Sequence, residues 1–104
     1  MKPNLGAMMK QAQKMQTEMA RVQQELAEEH VEVSVGGGAV TAAISGDLKL
    51  QRLTIDPDAV DLEDLAILED MVAAAVNEAL RQAQELASRK MAAVTGGLNI
   101  PGLT

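Results

Sequence analysis

Apolar side chains recur at Leu5, Met8, Ala12, Met15, Met19, Val22 and Leu26, in an unbroken alternation of three- and four-residue steps with Gln, Lys and Glu between them. That period is the stripe of a coiled-coil seam and predicts a first helix from about Leu5 to Glu29. Such a helix is about 35 Å long at 1.5 Å per residue, too long to be covered by a small domain, so much of it should project or meet a partner. Met8, Met15, Met19, Val22 and Leu26 are its expected packing positions. Methionine has three rotatable bonds, so the seam suits either ordinary helix packing or an adaptable partner surface. Glu25, Glu28 and Glu29 fall at the negative end of the helix, each costing about 0.3–1 kcal/mol if it lies in the last turn.

The period then changes to two. Val31, Val33 and Val35, then Val40, Ala42 and Ile44, then Leu48 and Leu50 followed by Leu53 and Ile55, read as three short antiparallel strands. Gly36-Gly37-Gly38 and Ser45-Gly46-Asp47 supply positive-φ residues for hairpin turns, which makes the sheet a meander. The apolar phase slips between Leu50 and Leu53, and a bulge at Gln51 or Arg52 would absorb the slip. Asp56-Pro57-Asp58 closes the strand, because Pro57 cannot donate to a ladder.

A second helix is predicted from an N-cap at Asp61, with Glu63 and Asp64 in its first turn. Its apolar positions are Leu65, Leu68, Val72, Val76, Ala79, Ala83, Leu86, Met91 and Val94, and Gly96 and Gly97 end it. Val72, Val76 and Ala79 join the packing set, and the alanines at 73, 74, 75, 79 and 83 permit close approach of a neighbour. The fold class is therefore α+β: helix, three-stranded antiparallel meander, helix. One domain spans 1–104, with 1–4 and 98–104 expected to be flexible.

Composition thins the expected core. The 104 residues are 47% hydrophobic yet include no Phe, Trp or Tyr, so burial relies on aliphatic side chains, Met and Ala. Small domains bury a low fraction of their surface, and dimerisation would supply the missing area. No stretch approaches the roughly 18 apolar residues of a membrane span, and Met1-Lys2-Pro3-Asn4-Leu5 lacks the apolar run of a signal peptide. A cytosolic protein is expected.

The absence of cysteine excludes disulfides, thiolate metal sites and cysteine nucleophiles. The single histidine, His30, stands at a helix-to-strand junction, with no cysteine and few hydroxyls near any plausible base, so hydrolytic triads and zinc sites are unsupported. The glycine run lacks the Lys and the following helix of a P-loop. Asp56, Asp58, Asp61, Glu63 and Asp64 lack the spacing and central Gly of a calcium loop. Neither an enzyme nor a cofactor is expected.

The net charge of −6 is unevenly spread. Residues 1–24 carry Lys2, Lys10, Lys14 and Arg21 against Glu18 alone, and residues 71–104 carry Arg81, Arg89 and Lys90 against Glu78 and Glu85. The acids concentrate in 25–35 and 61–70. If one helix runs toward the sheet and the other away, the bases gather at the sheet-distal ends. Lys10, Lys14 and Arg21 occupy outer heptad positions, where they can meet phosphate; a solvated helix exterior accounts for them equally well. Without aromatics there is no platform for stacking single-stranded bases.

Ile55-Asp56-Pro57, Leu68-Glu69-Asp70, Ala74-Ala75-Val76-Asn77-Glu78-Ala79 and Thr95-Gly96-Gly97-Leu98 with Pro101-Gly102 together resemble the YbaB/EbfC family. The Met- and Gln-rich first helix and Gly36-Gly37-Gly38-Ala39-Val40 extend the likeness over nearly the whole chain. The resemblance implies a homodimer with a central sheet and protruding helices that binds double-stranded DNA in the bacterial nucleoid and is not an enzyme. Family members are often encoded beside a clamp-loader subunit and a recombination protein, which implies replication or recombination partners. The candidate DNA-binding residues are Lys2, Lys10, Lys14, Arg21, Arg81, Arg89 and Lys90, contacting phosphates with little base readout. The alternative is an adaptor whose Met-rich surface grips another protein's helix, with indirect DNA association.

Overall fold

The computed structural model describes residues 4–97, in the order α1 (Leu5–Glu28), β1 (His30–Val35), β2 (Val40–Ser45), β3 (Leu50–Ile55) and α2 (Leu65–Gly97). Lys2 and the ends expected to be flexible, apart from Asn4, lie outside the described residues. Asn4 caps α1, its side-chain oxygen accepting from the Ala7 N–H at 3.2 Å. The helix stops where Glu29 turns to extended backbone, with its N–H still bonded to the Glu25 carbonyl.

The three strands form an antiparallel meander in the order β1-β2-β3. All three glycines of the first hairpin take positive φ, at 65°, 67° and 98°, which a side chain would resist. The expected bulge falls on Gln51: Ala43 pairs with Arg52 and Ile44 with Leu50, skipping it. That extra residue keeps Leu50 on the same face as Leu53 and Ile55.

The second turn departs from expectation. Its positive φ falls on Leu48, at 68°, and not on Gly46 or Asp47, so Leu48 belongs to the turn and not to β3. The turn is closed by Ser45, whose N–H donates to the Lys49 carbonyl at 2.9 Å and whose hydroxyl bonds Asp47. Gly46 is needed for a different reason. A Cβ there would sit 2.6 Å from the Leu26 carbonyl oxygen and 2.8 Å from a Leu26 methyl, where the turn presses against α1. Gly46→Ala should therefore destabilise the fold by about 1–3 kcal/mol in chemical denaturation, because the obstacle is largely backbone and cannot swing away.

Asp61 does not cap α2. Its side chain accepts from the Glu63 N–H and its carbonyl from the Asp64 N–H, closing a separate turn. Asp64 then caps the helix through Ile67, at 3.4 Å. The reason lies upstream: Val60 packs against the core, so the chain uses residues 61–64 to turn back beneath the sheet.

The core lies between one face of the sheet and the first half of α2. Ala75, Ala79 and Ala83, all at 0% exposure, form a line one helical turn apart that meets Val33, Val40, Ala42 and Ile44. Val72 and Val76 flank this line, half-buried. Small side chains let the helix settle close to the sheet, at the cost of a shallow core. Because α2 runs under β1 and β2, every residue of β3 stays exposed, including Leu50, Leu53 and Ile55.

A second, smaller cluster joins the helices: Val22 and Leu26 against Val94, with Leu86, Ala87 and Met91 around them. The heptad seam thus closes within the chain only over its last turns. Leu5 is 71% exposed and Met8 58%, Met19 is exposed and Met15 half-buried. The molecule measures 73 × 25 × 17 Å, and its radius of gyration of 20.3 Å compares with about 13 Å for a compact chain of this length.

Candidate nucleic-acid interface

α1 runs toward the sheet and α2 runs out from beneath it, so the helices lie antiparallel and the first turns of α1 form an arm beyond their contact. Lys10 and Lys14 sit on this arm, exposed and without an ion-pair partner among the described residues. Arg89, on the outer half of α2 in a shallow depression with Gln84, Glu85 and Ser88, is exposed and likewise unpaired.

The other candidate cations are engaged within the chain. Arg21 binds Glu18 and Glu25, each at 2.6 Å, and the Glu18 carboxylate first, then that of Glu25, holds its guanidinium even more firmly protonated than usual. Lys90 reaches across from α2 to Glu25 at 3.2 Å and Glu29 at 2.9 Å. Glu29 chiefly raises the affinity of the Lys90 amine for its proton, and Lys90 in turn chiefly lowers that of the Glu25 carboxyl. Two of the three acids expected to burden the end of α1, Glu25 and Glu29, are therefore offset by a cation from the other helix. The groove between the helices is lined by Lys14 and Arg21 of α1 and Lys90 of α2, with Glu18 and Glu25 among them.

Arg81 is not at a sheet-distal tip. It lies between Ala79 and Ala83, on the half of α2 that packs under the sheet, and pairs with Glu78 at 2.6 Å and Glu85 at 2.9 Å. Chain count placed it among the tips, but the buried contact of α2 with the sheet runs on to Ala83, past Arg81. Arg81, helped by Gln82, pulls the Glu78 carboxyl from 4.5 down to about 2. A depressed acid stabilises the fold above its unfolded pKa, and that contribution fades as pH falls through the folded value. Helicity followed during acid titration should accordingly begin its decline at higher pH in Arg81→Ala than in the native sequence, by a modest margin because the pair is exposed.

On the sheet face away from α2, Arg52 pairs with Glu32, which lies 3.9 Å from His30, and the Ser34 and Thr41 hydroxyls bond at 2.7 Å. Arg52 was expected only as an alternative bulge position and was not among the candidate DNA-binding residues. Among the described residues there is no cluster of His, Cys, Asp and Glu able to hold a metal ion, and no helix long and apolar enough to cross a membrane.

The fold recurs in an uncharacterized protein of Helicobacter pylori, with a TM-score of 0.76 at 21% identity, over 91% of this chain and 98% of that one. A nucleoid-associated protein of Alkaliphilus metalliredigens is 52% identical over 101 residues, 97% of this chain and 89% of its own. One of Moorella thermoacetica is 52% identical over 99 residues, 95% of each chain. The profile of the YbaB/EbfC DNA-binding family matches residues 1–98, and this is a family of nucleoid-associated DNA-binding proteins, not of enzymes. By this match and by relatives at half identity over almost its full length, the chain belongs to the YbaB/EbfC DNA-binding family.

Proposed function

We propose that the protein binds duplex DNA in the nucleoid of the bacterial cytoplasm as a homodimer, touching phosphates through the arms and reading few bases. The observation that carries this is the arm itself: a projecting helix end with Lys10 and Lys14 unpaired among the described residues, while the acids are gathered toward the sheet or tied to bases. Lysine is a compact point charge suited to phosphate, and no aromatic side chain is present to insert or stack. Lys2, Arg21, Arg81 and Lys90 remain weaker candidates, since the last three already hold carboxylates.

Support for the homodimer is the uncovered apolar face of β3. An edge strand offers unpaired backbone groups, and Leu50, Leu53 and Ile55 continue the face that α2 covers under the other strands. A second copy laid along this edge would extend the sheet and enclose those side chains.

Fluorescence anisotropy of a labelled random-sequence duplex, titrated at several salt concentrations, tests the proposal. Saturable binding is expected, with log K falling by about 0.9 per phosphate neutralised for each unit of log salt. Binding to DNA-associated proteins that persists at high salt, with no affinity for bare duplex, would favour the adaptor reading. That second reading draws on the exposed stripe of Leu5, Met8, Met9 and Met19 and envisages replication or recombination partners.

A further inference from the structure

An unbroken ladder of alternating charge crosses from one helix to the other at the base of the arm: Glu18, Arg21, Glu25, Lys90, Glu29. We propose that Glu29 and Lys90 are positioning residues for DNA binding, and that their clasp fixes the direction in which the arm bearing Lys10 and Lys14 leaves the body. The inference rests on the arm's being the DNA-contacting element.

Three elements meet at Glu29. It is the C-cap of α1, its carbonyl accepts the Gly46 N–H of the β2–β3 turn at 2.9 Å, and its side chain binds Lys90 of α2. One of its carboxylate oxygens is buried without a hydrogen-bond partner, and the Lys90 side chain is only 24% exposed. The Glu29 side chain as a whole is 44% exposed, so the weight of this contact lies in where it joins the elements and not in an unscreened charge attraction. At the root Val22 and Leu26 pack on Val94, and the clasp adds a second point of attachment at the other end of that contact, where α1 meets the sheet. Together the two points set the helix direction, and the turns of α1 before Val22 are mostly exposed. Lys90 spends its charge on two carboxylates, so its main contribution to DNA binding is geometric, with direct contact secondary.

Glu29→Gln separates the two roles, because positioning and electrostatics predict opposite signs. Removing an acid from a protein that binds a polyanion should tighten binding if charge alone matters. If the clasp positions the arm, affinity for the duplex falls, by roughly two- to fivefold at low salt, and Lys90→Gln falls with it. Glu29→Asp, which keeps the charge, should recover part of the loss. The chain has no native cysteine, so spin labels at Gln13→Cys and Gln84→Cys report the arm's angle directly, in samples diluted with unlabelled protein.

The expected result is weaker binding together with a broadened inter-label distance in Glu29→Gln. Unchanged distances, or equal or tighter binding in a variant whose parent binds DNA, would overturn the clasp. A parent that binds no duplex would instead overturn the DNA reading, and this inference with it.

Discussion

Replacing Lys10, Lys14 and Arg89 together with Glu is expected to lower the affinity for random-sequence duplex by at least about a hundredfold, and to flatten its salt dependence by about 0.9 for each phosphate no longer neutralised. None of the three holds an ion-pair partner among the described residues, so the substitutions break no internal ion pair and the circular dichroism spectrum should be unchanged. The informative control is Arg21→Gln with Arg81→Gln. Both side chains already spend their charge on neighbouring carboxylates, so binding should change by only a few-fold. Equal losses in the two sets of variants would mean that DNA strips Arg21 and Arg81 from their partners, and that the interface is broader than the arm.

Leu53→Arg is expected to convert a dimer into a monomer in sedimentation experiments at micromolar concentration. Leu53 faces the side of the sheet that α2 covers under β1 and β2 but lies beyond the reach of that helix. A guanidinium forced into an apolar contact between copies would lose its water without gaining a partner, at a cost of several kcal/mol. Thr54, pointing the other way, supplies the comparison: Thr54→Arg should leave the dimer intact. A monomeric Leu53→Arg with unchanged helicity would place the interface at this edge, whereas a dimer that survives the substitution would move it to the open turns of the α1 seam.

Much of the architecture was legible because local chemistry and long-range packing agreed. The triplet of glycines at 36–38 could serve only a positive-φ turn, and the slip between Leu50 and Leu53 required one extra residue, which proved to be Gln51. The errors came where one signal served two purposes. Asp61 and Asp64 are both good caps, and the choice between them depended on Val60 reaching the core, a tertiary fact. Gly46 resembled a turn glycine but is small because Leu26 presses on it, and the strained torsion passed to Leu48.

The candidate site was legible in outline only. Counting charges along the chain found the basic segments, yet counting cannot tell a free cation from a paired one. Lys90 finds Glu25 and Glu29 across more than sixty residues of sequence, and nothing local announces that meeting. The heptad stripe likewise revealed a seam without revealing that only Val22 and Leu26 would be closed by α2.

The arm's length has a mechanical consequence. From Val22 to Leu5 it extends about 25 Å, so a turn of about 10° at its root carries the tip about 4 Å sideways. Successive phosphates of one strand are displaced by about 3.4 Å along the duplex axis. If the arms of a dimer contact DNA as proposed, a lever of this size lets very small rotations shift a lysine by about the axial rise of one nucleotide, so the two arms could follow duplexes that differ in local twist or groove width without any change in the sheet.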